Sequence, residues 1–176
     1  MKRQRKIAIV LSSVFVLLMG LISLVGFNLA QASDEIPATV QTCLPPATQT
    51  VKVWGLVETE SGSYYLLGAT WEDNSEDVYQ EVLIYLNAED TCRSLLPEAD
   101  PVLSHYIPLQ LARELALQRY TRVLEEQGGR EAYQQQLTDY LTSAPEGTRS
   151  EFPPEHIWAL EQLGIELPTD SYEVLP

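Results

Sequence analysis

Apolar residues crowd three short runs between residues 51 and 86, then recur every third or fourth residue in the segments from 108 to 163. The first pattern predicts strands over VKVWGLVET (51–59), YYLLGATW (64–71) and VYQEVLIYL (78–86), all rich in β-branched and aromatic side chains. ESGS (60–63) reads as the first turn, with Gly62 free to take a positive φ. EDNSED (72–77) joins the second strand to the third. Consecutive strands usually neighbour one another, so the three form an antiparallel meander.

The second pattern predicts helices. PLQLARELALQRYTRVLEEQ (108–127) places Leu109, Ala112, Ala116, Tyr120 and Val123 on one stripe, with Leu111 and Leu115 beside it, and ends at Gly128-Gly129. Residues 130–142 gather Tyr133, Leu137, Tyr140 and Leu141 on one side. PPEHIWALEQL (153–163) carries proline in its first turn and stops at Gly164. Asp100-Pro101 starts a short turn before Pro108, and SAPEGTRSEF (143–152) is a loop. Strands followed by helices indicate α+β: a three-stranded antiparallel meander with three helices packed on the sheet. The boundaries follow as a linker over 33–50 punctuated by Pro37, Pro45 and Pro46, one domain over 51–167, and an acidic tail, mobile after Pro168, over 168–176.

The meander has no polar face. With Ser61-Gly62 as the loop, Val51, Val53, Gly55 and Val57 share a face with Tyr64, Leu66 and Gly68. Lys52, Trp54, Leu56, Tyr65, Leu67, Ala69 and Trp71 share the other. In the third strand Tyr79, Leu83 and Tyr85 alternate with Val78, Val82, Ile84 and Leu86. Either helices cover both faces, or one aromatic face is a partner surface, with Trp54, Tyr65, Trp71, Tyr79 and Tyr85 as its candidates.

The chain opens on MKRQRK and continues without a charge from Ile7 to Ala30, reaching the small-x-small triplet Ala30-Gln31-Ala32. A basic start, an apolar run and such a triplet make an export signal. The run is also long enough to span a bilayer. Two outcomes stay open: cleavage after Ala32, or retention as an apolar anchor helix. Lys2, Arg3, Arg5 and Lys6 keep the start in the cytoplasm in either case, which delivers residue 33 onward to a periplasm or lumen. The protein then meets the membrane only through this segment.

Charge and cysteine content narrow the partners. Four of the 11 Lys and Arg lie in the leader, leaving seven against 25 Asp and Glu, a net charge of −18 for the exported part. That argues against nucleic acid, whose phosphates demand basic contacts. It suits a basic partner, or divalent cations. Cys43 and Cys92 are the only cysteines, and in an oxidising compartment they form a disulfide. In a three-stranded meander the two lie at opposite ends, so LPPATQT (44–50) or its continuation has to run back along the sheet.

Candidate chemistry is sparse. Glu72, Asp73, Glu76 and Asp77 invite a calcium reading, and Asp73, Ser75 and Asp77 match the opening of an EF-hand loop. Its glycine position is Val78 and its bidentate-Glu position is Ile84, so that motif fails. A solvated hairpin tip remains, with an irregular cation site as the sharper alternative. His105 and His156 are the only histidines, and no paired-His or Cys-x-x-Cys spacing offers a transition-metal site. No nucleophile elbow, phosphate loop or dinucleotide fingerprint is present. No catalytic residue, metal ligand or cofactor is assigned.

PPEHIWALEQLGIELP, together with GGREAYQQQL, resembles the C-terminal parts of small exported cyanobacterial proteins without an assigned activity. The resemblance implies a periplasmic or thylakoid-lumen location and no catalytic role. The leading expectation is an exported, non-catalytic α+β domain that binds an envelope or lumenal protein as an accessory or assembly factor. A carboxylate-based hydrolase assisted by His105 or His156, and a cation-responsive module at 72–77, are the alternatives.

Overall fold

A computed structural model of the chain describes residues 36–73, 76–95, 101–143, 149–168 and 170–176. The expected export signal or anchor helix lies outside them. Among the described residues no helix is long and apolar enough to cross a membrane. The architecture is α+β, built on one four-stranded antiparallel sheet in the order β1-β2-β3-β4: β1 Thr48–Thr59, β2 Gly62–Asp73, β3 Glu76–Asn87 and β4 Cys92–Ser94. The fourth strand was not in the expected meander. It is three residues long and pairs Ile84 to Leu86 with Ser94 to Cys92, too short a run to show period-two alternation.

The strands also run further than their apolar residues. Glu72 pairs with Asp77 and Asp73 with Glu76, so the expected six-residue connection is largely sheet. Asn74 and Ser75 lie outside the described residues. At the other turn the register closes on Thr59 opposite Gly62, making Glu60-Ser61 the loop in place of Ser61-Gly62.

A β-bulge between Val53 and Gly55 corrects the face assignment. Downstream of it the expected faces hold: Leu56 stands opposite Tyr65, and Val57 opposite Tyr64. Upstream, one extra residue inverts the phase. Val51 and Val53 therefore join Tyr65, Leu67, Ala69, Val82 and Ile84, while Trp54 joins Val57, Leu66 and Leu83 on the opposite face.

Both faces are covered, by different means. Over the Val57–Leu66–Leu83 face lie a 3₁₀ turn (Leu103–His105) and the helix that follows the apolar stripe (Leu109–Glu126, α2), through Leu103, Ile107, Ala112 and Leu115. A second pair of helices, Arg130–Ser143 (α3) and Pro154–Gln162 (α4), packs on the far side of α2 and not on the sheet: Ala116, Tyr120 and Leu124 meet Leu137, Leu141, Ala159 and Leu160. One helix already fills the sheet face, so the expected three-helix layer becomes two layers.

The opposite face is closed by the supposed linker. From Ile36 the chain forms a strap with one helical turn (Ala38–Gln41, α1), and it buries Ile36 and Val40 against the sheet with Cys43 and Leu44 beside them. The segment expected to run back along the sheet was 44–50, but the chain that packs there is Ile36–Leu44, sharing only Leu44 with it, and Thr48, Gln49 and Thr50 belong to β1 itself. The expected mobile tail is also ordered structure. Tyr172–Val174 (β6) pairs in parallel with Ser150–Phe152 (β5), and the Leu175 N–H donates to the Phe152 carbonyl at 3.0 Å. Tyr172 supplies a reason, packing edge-on against Phe152 at 6.0 Å.

Two glutamines stand in for missing strand neighbours. Gln118 on α2 accepts from the Leu56 N–H at 2.9 Å and donates to the Leu56 carbonyl at 3.0 Å, closing the exposed edge of β1 just past the bulge. Gln134 on α3 does the same for Glu166, at 2.7 and 2.8 Å. Gln118→Ala is expected to cost about 1–2 kcal/mol, because both backbone groups lose their partner where α2 restricts water. Gln118→Glu lacks the donor and should recover only part of it. Urea unfolding of the three proteins checks the order.

Candidate functional site

The five aromatic residues expected to share a partner surface are dispersed. Trp54 and Tyr65 are each 8% exposed and lie on opposite faces of the sheet, which removes them as a free surface. Trp71 packs half-buried under the strap. Tyr85 stacks on Tyr64 with ring centroids 4.8 Å apart, and its hydroxyl donates to the Ser61 carbonyl at 2.6 Å. Tyr79 alone among the five stays open, at 53% exposure. The bulge separates the set, since it carries Trp54 to the helix side.

What the bulge builds is a polar node between sheet and helices. Trp54 Nε1–H donates to the Tyr79 hydroxyl at 2.7 Å, directly over Gly68. A Cβ at Gly68 would stand 2.6 Å from that indole nitrogen and 2.7 Å from that hydroxyl, so the strand needs glycine there. The Tyr79 hydroxyl reaches Glu81 at 3.5 Å, and Arg119 Nε donates to the same Glu81 oxygen at 2.7 Å. Lys52 covers the outer ring face of Trp54 at 3.9 Å and pairs with Glu126 of α2. Arg119 also lies 4.9 Å from the ring of Tyr120.

The node extends to His156. The Tyr120 hydroxyl and His156 Nδ1 are 3.4 Å apart, and the rings meet edge-on at 5.5 Å. Burial raises the Tyr120 hydroxyl pKa to about 12, with Arg119 pulling the other way. Burial, then the Arg119 charge, pushes the His156 imidazole down to about 3. Burial opposes the charge of Arg119 too, yet Glu81 holds its pKa above the usual value. The result is a neutral histidine, a protonated tyrosine and a charged arginine matched to one carboxylate.

His156 is expected to make the fold acid-sensitive. Its folded pKa lies below the unfolded value, so between about pH 6.5 and 3 the unfolded chain binds the extra proton and stability falls as pH falls. At 1.36 kcal/mol per unit the expected loss from pH 6.5 to 5 is at most about 2 kcal/mol, reduced by the partial exposure of the residue. Urea midpoints at several pH values should show His156→Gln with a shallower acid slope than the native chain.

The remaining candidates lie elsewhere. His105 is exposed, with Nε2 2.9 Å from the Pro176 oxygen. Among the described residues Glu155 is the one fully buried acid, and both its oxygens are engaged. Oε1 accepts from Leu103 N–H at 2.6 Å and Ser104 N–H at 3.3 Å, and Oε2 from the Ser104 hydroxyl at 3.1 Å. It ties α4 to the 3₁₀ turn. Among the described residues no group of three or more His, Cys, Asp or Glu is placed to hold a metal ion. Cys43 and Cys92 are bonded, with Cα atoms 6.1 Å apart across 49 positions, compatible with a non-cytoplasmic location.

Two open grooves mark the surface. One, of about 520 Å³, is lined by Ser61, Tyr85, Asn87, Glu89, Thr91 and Arg93. The other, of about 690 Å³, runs between the strap and the start of β1. Neither includes a histidine among its lining residues.

Arg119, Gln118 and Glu81 were missed in the sequence, although two of them left a signal. Gln118 falls three residues after Leu115 and Arg119 three after Ala116, so both are polar residues on a stripe otherwise apolar. Such residues have to find partners in the sheet. Glu81 gave no such sign, because its pairing depends on a register the bulge sets.

Compared with protein-family models, curated proteins and solved structures, the chain matches none.

Proposed function

We propose that this protein is exported across the cytoplasmic or thylakoid membrane and acts there without catalysis, as an accessory or assembly factor binding a partner protein with a basic surface. The observation that carries the reading is where its charges are spent. Beyond the leader, seven Lys and Arg face 25 Asp and Glu. Arg119 is held by Glu81 and Lys52 by Glu126, while Arg93 and Arg113 lie over the rings of Tyr85 and Trp158. Four of the seven basic side chains are thus engaged within the fold, and although Arg93, Arg130 and Arg149 are exposed, acids far outnumber them and leave the exterior anionic in net charge. Glu155 and His156 likewise serve the packing, the first by bonding a turn and the second as a neutral ring against Tyr120. An anionic exterior steers and orients a basic partner more than it adds affinity.

Crosslinking the tagged protein in its native membranes, followed by affinity capture and mass spectrometry, tests this. One dominant partner at fixed stoichiometry is expected, with capture weakening as salt rises through the screening range. No partner above background, or capture indifferent to salt, would overturn the reading.

A further inference from the structure

The strap over Ile36–Leu44 is attached to the sheet by side chains and one covalent bond. Its backbone hydrogen bonds close on itself: Gln41 N–H to Pro37, Thr42 to Thr39, Cys43 to Val40 and Leu44 to Gln41. It adds no rung to the ladder, which ends at β1 on one side and β4 on the other. Side chains hold it: Ile36 and Val40 buried in the sheet face, Thr39 Oγ1 donating to Asp90 at 3.0 Å, and the covalent bond from Cys43 to Cys92. Burial of a few aliphatic groups is set against the entropy of ordering the whole segment, and a single helical turn has no stability of its own.

The junction with β1 is a tight turn. Ala47 takes φ 68°, a left-handed conformation that costs any residue with a Cβ, and it follows Pro45-Pro46. Thr48 closes this turn, its N–H and hydroxyl both donating to the Pro45 carbonyl, at 3.3 and 2.7 Å, so the strap meets β1 through a hinge with its own bonds. An open groove lined by Ile36, Leu44, Pro46, Thr48 and Val51 runs beside the strap, so solvent reaches its edge although Ile36 and Val40 are buried beneath it. Cys92 lines the other open groove, where a thiol can approach it.

We propose that the Cys43–Cys92 disulfide is a redox latch, and that its reduction opens the strap and uncovers the sheet face of Val53, Tyr65, Leu67, Ala69, Val82 and Ile84. The reductant is a dithiol of the oxidoreductase class. One thiolate attacks a latch sulfur to give a mixed disulfide and release the other cysteine as thiolate. The second thiol of the reductant then displaces the remaining cysteine. Two electrons pass to Cys43 and Cys92, each ends as a thiol, and the reductant leaves as its disulfide. The latch closes again by the reverse exchange.

Hydrogen exchange on the full chain, oxidised and then reduced with dithiothreitol, tests the latch, with alkylation and mass measurement confirming both thiols. Reduction is expected to speed exchange at the Thr42, Cys43 and Leu44 amides by about tenfold or more, while amides of Leu66, Leu67 and Leu83 in the central strands keep their rates. Unchanged strap exchange in the fully reduced chain overturns the proposal. Equal acceleration in the central strands also overturns it, because the disulfide would then be a staple for the whole fold.

Discussion

Leu115→Ala is expected to lower the unfolding free energy by about 3–5 kcal/mol, the upper part of the range for a buried leucine. The side chain is fully buried between α2 and the sheet, among Trp54, Val57, Leu66 and Leu83. Its cost depends on how far the surroundings can collapse, and here the floor beneath it is bare backbone. A Cβ on Gly55 would stand 3.1 Å from Leu115 Cδ2 and 3.3 Å from the Leu115 carbonyl oxygen. Residue 55 sits at the bulge, its strand fixed by β2 on one side and by Gln118 on the other, so the cavity stays open. Urea midpoints measure the loss directly. The same contact predicts coupling. Gly55→Ala crowds Leu115 in the native chain but gains room once that leucine is truncated, so the double variant should be more stable than the sum of its parts by about 1 kcal/mol. Additive losses would show that α2 shifts to absorb the cavity.

The pattern of apolar positions located this helix and its ends almost to the residue, because a long amphipathic stripe is a local property. It placed the three long strands and the Cys43–Cys92 bond as well, the latter from two cysteines and a compartment. What escaped it is non-local. The bulge at Trp54 leaves one mark in VKVWGLVET, a glycine inside the strand at position 55, but that glycine does not say how the register shifts, and the shift decides which face receives Trp54, Val53 and Lys52, and so whether an aromatic surface exists at all. Ile36 to Leu44 reads as a linker because it is short and polar-punctuated, and only the face it closes shows its apolar residues to be core. Tyr172 to Val174 is three residues long, and its pairing with Ser150 to Phe152 is formed across an intervening helix. The polar node and the glutamine braces fall between these cases. Arg119 and Gln118 are visible as exceptions on an apolar stripe, whereas their partners Glu81 and Leu56 follow from register.

Glu155→Ala is expected to cost about 3 kcal/mol for a related reason: a buried group defined by its partners in a distant segment. The carboxylate occupies the first turn of α4 and collects three hydrogen bonds from Leu103 and Ser104. Leu103 is itself core, 2% exposed against the sheet, so this one side chain couples the α2–α3–α4 cluster to the helix-covered face. Alanine leaves the Leu103 N–H buried without an acceptor and the Ser104 N–H poorly placed for water, at roughly 1–3 kcal/mol for a buried orphan. It also removes a negative charge that favours the positive end of a helix. Glu155→Gln is the informative companion. Its carbonyl oxygen can still accept from Leu103, and the Ser104 hydroxyl can rotate to accept from its amide, so a loss near about 1 kcal/mol is expected. Exchange at the Leu103 and Ser104 amides should rise far more in the alanine variant than in the glutamine one. If both substitutions cost the same, the charge and not the hydrogen-bonded turn is what Glu155 contributes.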